Sequence, residues 1–241
     1  MTAKNTSKPS AAVQTAADGF LAQYGVKADP KLIDRALTHR SWAFEHGGAP
    51  HNERLEFLGD SVLGFAVTTR LYKKFSKLSE GELAKRRAAV VSTITLATTA
   101  REIGLGQYLK LGNGELATGG RDKDSILADT LEAVIGAVYL STDIQVATKF
   151  VLQLLESKIA EVETLSRSLD PKTTLQEIAA AHGLPHPHYV VTGTGPDHNR
   201  EYTAHVALLG VQATGVGSSK KAAELAAARE VVAELSSGTI A

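Results

Sequence analysis

The sequence predicts an all-α domain followed by a small α+β domain of order α-β-β-β-α. Two long proline-free runs, 51–75 and 125–140, carry apolar residues at helical spacing and are apolar around most of their girth. After Asp170 the period shortens, and three β-rich runs separated by glycine-containing turns lie between two helical stretches. The chain of 241 residues, 43% hydrophobic and 22% charged, has the make-up of a soluble globular protein and the length of one large or two modest domains.

Composition excludes several classes. With zero cysteines there is no disulfide scaffold and no thiolate metal site, which suits a reducing compartment. No apolar stretch reaches membrane-spanning length without a charge, and the N-terminus lacks the apolar core of a secretion signal. A cytoplasmic protein with no membrane partner is expected. The formal net charge is zero, so any nucleic-acid binding must come from local clusters of Lys and Arg.

Residues 1–17, rich in Ala, Ser, Thr and Lys without a stable period, read as a disordered extension. Asp29-Pro30 opens a helix with Asp as cap and Pro in its first turn. Thr38-His39-Arg40-Ser41 follows, and the Gly-Gly-Ala-Pro loop at 47–50 leads into the central helix. Ser79-Glu80-Gly81-Glu82 is a capping box that starts a helix expected to run to about Glu102 and carrying Lys85, Arg86 and Arg87. Those three cations read equally as a solvated face or as phosphate contacts. The glycines of 104–120 fit neither a Walker loop nor a dinucleotide fingerprint, so no nucleotide cofactor is expected. After the second apolar run, 144–162 forms another amphipathic helix, and 164–169 is a short polar linker. The division is therefore 18–163 and 170–236.

The acids inside the two apolar runs are the candidate chemistry. Glu53, Glu56 and Asp60 stand at i, i+3 and i+7 and gather on one side of their helix. Asp129 and Glu132 lie one turn apart on the other, with Gly136 next on the same stripe. Gly136 costs about 1 kcal/mol against Ala in a helix interior, so a close neighbour is its expected justification. Taken alone, the first acidic stripe also reads as a solvated helix edge. Two facing buried helices, however, would pool four or five carboxylates, a cluster that needs a cation. Hard oxygen ligands without Cys select Mg²⁺, with Mn²⁺ as a substitute. A helical di-metal carboxylate oxidase would need Glu-x-x-His pairs, and the sequence has none.

Asn-Glu-Arg-Leu-Glu-Phe-Leu-Gly-Asp-Ser at 52–61 and Ser-Ile-Leu-Ala-Asp-Thr-Leu-Glu-Ala-Val-Ile-Gly-Ala at 125–137 together resemble the signature pair of bacterial ribonuclease III. With the C-terminal segment, the resemblance covers roughly 18 to 236. It implies an endoribonuclease that cuts both strands of double-stranded RNA by metal-assisted hydrolysis, leaving 5′-phosphate and 3′-hydroxyl ends. Glu56, Asp60, Asp129 and Glu132 would hold the metal, with Asp60 and Glu132 the catalytic acids. Glu80 matches an acidic position near the family's metal site, and Glu53 and Phe57 lie where relatives form a homodimer. Ribosomal RNA maturation and processing or decay of structured transcripts are the implied roles. Basic residues of the loop 119–123 would meet the RNA backbone. A catalytically silent binder on the same scaffold is the alternative.

The C-terminal order resembles the double-stranded-RNA-binding domain, which reads A-form shape with little sequence preference. Lys220 and Lys221 sit in the first turn of the last helix, where cations oppose the helix dipole and a phosphate would relieve them. Gly215-x-Gly217-Ser218-Ser219-Lys220-Lys221-x-Ala223 resembles the family's phosphate-gripping motif. His198, in the loop between the first two strands, is expected to reach a minor groove, and Thr174, Gln176 and Glu177 to bond 2′-hydroxyls. One departure matters. From 170 to 235 there are five basic side chains against seven acidic, a net charge of −2, and Glu224 stands where many relatives carry a lysine. His182, His186 and His188 flank two prolines in a turn and are not read as metal ligands.

Overall fold

A computed structural model describes residues 19, 21–162, 170–196 and 200–236. The extension at 1–17, the linker at 164–169 and His198 lie outside the described residues. The chain divides into two compact units, with the division after Val162.

The first unit is helical: α1 (Pro30–Ala36), α2 (Arg40–Glu45), α3 (Glu53–Lys74), α4 (Glu80–Val90), α5 (Thr93–Glu102), α6 (Asn113–Ala117), α7 (Asp124–Ser141) and α8 (Ile144–Ala160). Local chemistry sets several starts. Asp29 accepts the Lys31 N–H ahead of α1. Ser79 and Glu82 close a reciprocal capping box on α4, satisfying two donors that the first turn leaves orphaned. Asp143 accepts from Gln145 and Val146 to start α8.

The single helix expected from Ser79 to Glu102 is in fact two. The Ser92 hydroxyl accepts the Thr95 N–H as an N-cap and donates to the Ala89 carbonyl, and Thr95 donates to that carbonyl as well. Side chains that bond nearby backbone compete with helix continuation, and the β-branched neighbours Val90, Val91, Thr93 and Ile94 do little to resist.

The centre of this unit is the crossing of α3 over α7. Leu55, Val62, Leu63, Ala66, Val67 and Leu71 project from α3 into the core, and α7 is buried almost continuously from Ile126 to Val138. Leu63, Leu71, Leu127, Leu131, Ile135 and Phe150 are fully enclosed; each such side chain contributes roughly 1.5–3 kcal/mol by leaving water. Two glycines let the backbones touch. A Cβ at Gly59 would stand 1.8 Å from the Glu132 carbonyl oxygen, and one at Gly136 2.3 Å from the Leu55 carbonyl oxygen. The close neighbour expected at Gly136 is thus α3; its counterpart, Gly59, carried no signal in the sequence.

The second unit runs α9 (Pro171–Ala181), β1 (Val190–Thr194), β2 (Glu201–Leu208), β3 (Val211–Gly217) and α10 (Lys220–Ser236). The strands form an antiparallel meander in order β1-β2-β3. Ala204, Val206 and Leu208 alternate inward and meet Leu175, Ala179, Ala227, Val231 and Val232 in a separate core. Leu208 pairs with Val211 across a two-residue turn in which Leu209 (φ 52°) and Gly210 (φ 83°) are both left-handed. That geometry matches the twist of a tight hairpin. The turn expected from Gly193 starts later, because Gly193 and Thr194 still pair with Tyr202 and Glu201.

Candidate functional site

The α3–α7 crossing assembles the acids. Gly59 lies between Glu56 and Asp60, and the backbone it touches is that of Glu132, so contact between helices brings both acidic stripes together. Carboxylate oxygens of Glu56, Asp129 and Glu132 lie within 4.8 Å of one another. Asp60 is exposed and stands outside that trio, but after burial its charge is the strongest influence on Glu132. Glu56, Asp60, Asp129 and Glu132 therefore share one electrostatic site.

Each member of the trio is held above its ordinary pKa. Glu132 is pushed up to about 8, first by burial and then by Asp60, Asp129 and Glu56. Burial also raises Glu56, reinforced by Asp129, Glu53 and Asp60 and opposed by Arg40. For Asp129, burial raises the pKa, while His39 and Arg40 draw it back. Desolvation and like charge both disfavour ionisation. The donor set suits a hard divalent cation: three half-buried oxygens, no nitrogen or sulfur among them, and one acid that ionises reluctantly until a positive charge joins it.

That arrangement has a consequence for stability. A carboxyl whose folded pKa is raised stabilises the fold while protonated and loses that contribution as pH rises. The loss starts near the unfolded value of about 4.5 and continues to about 8. In chelator, the protein is expected to melt lower at pH 8.5 than at pH 5.5. Discounted for the partial exposure of Glu132, the effect is on the order of 1 kcal/mol, or about 2–4 °C. Mg²⁺ should reverse the trend and bind more tightly as pH rises, because it displaces a proton. Melting curves at both pH values, with and without Mg²⁺, check this; a flat chelator series would count against it.

The remaining expected acids stand apart from the trio. Glu53 lies at its rim, 3.6 Å from the Arg40 guanidinium and 3.8 Å from His51 Nδ1. Glu80 is exposed in the first turn of α4 and does not belong to the trio. Beside the acids opens a cleft of about 540 Å³ lined by His39, Arg40, Glu56, Lys123, Ser125 and Asp129, among others. His39 and Arg40 were not singled out from sequence as site residues. The one available signal was the need of buried carboxylates for a nearby cation.

The basic residues of the loop at 119–123 make internal contacts. Arg121 donates to the carbonyls of Gly106 and Gln107, and Lys123 to Glu115 (2.6 Å) and Thr118. On α4, Arg86 donates to the Glu82 carbonyl and lies over the Phe75 ring.

In the second unit Lys220 and Lys221 are exposed in the first turn of α10, with Ser218 exposed just before them. Gln176 and Glu177 are exposed on α9. Thr174 is only 8% exposed and its hydroxyl donates to the Asp170 carbonyl. Glu224 takes Lys172 in a 2.6 Å ion pair, so this acid also occupies one of the unit's few cations.

Comparison with known proteins places these features. The family described as Ribonuclease-III-like matches residues 29–159, and the double-stranded RNA binding motif matches 171–235. The chain is similar to Ribonuclease 3 of Leifsonia xyli, 56% identical over 87% of this chain and 89% of that protein. It is similar also to Ribonuclease 3 of Streptomyces coelicolor, 52% identical over 94% of this chain and 81% of that one. Among solved structures, the nuclease domain of ribonuclease III from Campylobacter jejuni superposes with a TM-score of 0.54 at 39% identity, covering 57% of this chain and 94% of that domain. That structure was described for flexibility in a region involved in dimer formation.

Proposed function

Since this chain belongs to the ribonuclease III family of double-stranded-RNA endoribonucleases, we propose that it hydrolyses both strands of duplex RNA at the acids of α3 and α7, leaving 5′-phosphate and 3′-hydroxyl ends. The observation that carries this reading is the convergence of Glu56, Asp129 and Glu132 within 4.8 Å, with Asp60 beside them. Those residues would hold a divalent cation, Mg²⁺ with Mn²⁺ as substitute. Such a cation offsets the charge gathering on the phosphate and lowers the pKa of water. Asp60 is the acid open to solvent, placed to accept a proton as a water oxygen attacks phosphorus in line. The bond from phosphorus to the 3′ oxygen breaks, and that oxygen leaves as the hydroxyl after taking a proton from solvent water. Glu132, tied to the helix crossing, fixes the position of the cluster.

Two catalytic units related by a two-fold axis would suit a substrate whose strands are antiparallel. The reading is therefore a homodimer, with Glu53 and Phe57 at the contact; Phe57 is 79% exposed, a large apolar side chain near the start of α3. Ribosomal RNA precursors and structured messengers in the cytoplasm are the natural substrates on this reading.

Purified protein incubated with duplex RNA tests it. Cleavage in Mg²⁺, none in chelator, 5′-phosphorylated products and the sedimentation of two chains together are expected; binding without cleavage would leave only the silent alternative.

The second unit sets the strength of duplex binding. Ser218, Lys220 and Lys221 would grip phosphate, with Gln176, Glu177 and His198 reading the minor groove. With so few free cations, binding is expected to be weak and strongly salt-dependent. Lys220→Ala and Lys221→Ala in the full chain should each weaken binding at every sequence and reduce the salt slope by about one. A titration against KCl with Ca²⁺ replacing Mg²⁺ reads this directly, and an unchanged slope would remove these lysines from the interface.

A further inference from the structure

His39 is locked in one tautomer. Its Nδ1 accepts the Ser41 N–H at 3.2 Å, so it carries no proton when the ring is neutral. The Ser41 hydroxyl, which accepts the Gly112 N–H at 2.9 Å, donates its own proton to Nδ1 at 2.8 Å. Neutral imidazole has one donor and one acceptor, so the proton sits on Nε2. That nitrogen has no hydrogen-bond partner among the described residues, and the ring lines the cleft beside Glu56 and Asp129. Next to it stands Arg40, its side chain 73% exposed, whose one ion pair among the described residues is a 3.6 Å contact with the half-exposed Glu53. Ion pairs of that kind contribute little, so the guanidinium can exchange Glu53 for another anion at small cost. Lys123, on the other side of the cleft, has no such freedom because Glu115 and Thr118 hold it.

We propose that His39 and Arg40 form the donor wall of the cleft and hold the non-bridging oxygens of the phosphodiester that is cut, Arg40 through its guanidinium and His39 through Nε2–H. This rests on the acids of α3 and α7 being the cleavage site. A polyanion approaching a carboxylate cluster is repelled unless donors on the same cleft receive it, and a guanidinium matches paired phosphate oxygens better than an ammonium does. A neutral N–H donor adds a hydrogen bond without a second charge to be desolvated. The two residues are adjacent in sequence and both line the cleft, the ring held through Ser41 and the arginine loose.

The test uses the full chain with duplex RNA. Arg40→Ala is expected to lower kcat/KM about 100-fold at saturating Mg²⁺, the scale of losing one donor to a developing charge. Arg40→Lys should recover part of that. His39→Asn keeps an acceptor at the start of α2 but offers no donor at the Nε2 position; a loss of about tenfold is expected, the scale of one neutral hydrogen bond. Both Arg40→Ala and His39→Asn should keep the Mg²⁺-induced rise in melting temperature, and should weaken duplex binding in Ca²⁺ by much less than they lower kcat/KM. Sulfur in place of one non-bridging oxygen at the cut phosphate should slow wild type more than Arg40→Ala. Wild-type cleavage by Arg40→Ala, or its full recovery by added Mg²⁺, would overturn the proposal while Glu132→Gln stays inactive. Cleavage surviving Glu132→Gln would overturn the reading of the acidic site beneath it.

Discussion

Glu132→Gln is expected to abolish cleavage, by about 10³-fold or more, while raising the stability of the metal-free protein at alkaline pH. The two effects have one cause. Glu132 is half-buried among Asp60, Asp129 and Glu56 and held up to about 8, so its ionisation without a cation opposes folding. Gln keeps the shape and removes the charge, which relieves that opposition. The same substitution takes the charge from one of the three carboxylates whose oxygens converge within 4.8 Å, and a cation site that loses a charged ligand loses most of its electrostatic contribution to the reaction. Asp60→Asn separates the roles by degree: cleavage should fall comparably, because Asp60 is the solvent-open acid, but the gain in stability at pH 8.5 should be smaller, because burial outweighs the charge of Asp60 in the penalty on Glu132. Duplex binding in Ca²⁺ should persist in both, since the second unit has its own core and its own cations. Rates in Mg²⁺ and melting curves at pH 8.5 in chelator decide it. A Glu132→Gln variant that cuts normally, or melts lower than wild type at pH 8.5, would contradict the site.

What was legible in the sequence was local or periodic. Asp29, Ser79 with Glu82, and Asp170 cap their helices as their residue types require, and the spacing of Glu53, Glu56 and Asp60 fixed their common face. Leu209-Gly210 was readable as a turn because the strands on either side alternate. What escaped depends on partners distant in the chain. His39 is placed by Gly112 through Ser41, and Lys172 by Glu224 some fifty residues on. Lys123 looked free to meet RNA until the fold set Glu115 beside it. Thr174 shows a subtler limit. Helical spacing alone did not reveal that its hydroxyl returns to the Asp170 carbonyl and turns the side chain inward. The break at Ser92 was local but ambiguous, since the same serine is tolerated mid-helix when its hydroxyl does not cap.

Gly59 is the residue whose importance the sequence hides most completely, and Gly59→Ala is expected to be the most destabilising small substitution in the α3–α7 crossing. A Cβ there would lie 1.8 Å from the Glu132 carbonyl oxygen and 2.6 Å from its carbon. Both obstacles are backbone, so no rotamer change relieves them, and the helices must part by more than an ångström. Overpacking of this kind costs about 1–3 kcal/mol and sometimes more. Alanine's better helix propensity returns only about 1 kcal/mol. Gly136 presses on the Leu55 carbonyl from the opposite side, so separation at one glycine also loosens contact at the other. Because Glu56 and Asp60 flank Gly59 in sequence and Glu132 is the residue struck, the parting opens the acidic cluster itself. The Mg²⁺-induced rise in melting temperature should shrink with the stability, and cleavage with both. Gly64→Ala is the control on the same helix: nothing lies within 4 Å of its Cβ position, so it should gain up to about 1 kcal/mol from propensity alone. Urea unfolding of the two variants separates the explanations. If Gly59→Ala and Gly64→Ala shift stability in the same direction, α3 and α7 are not in backbone contact, and the acids have lost the physical reason for their convergence.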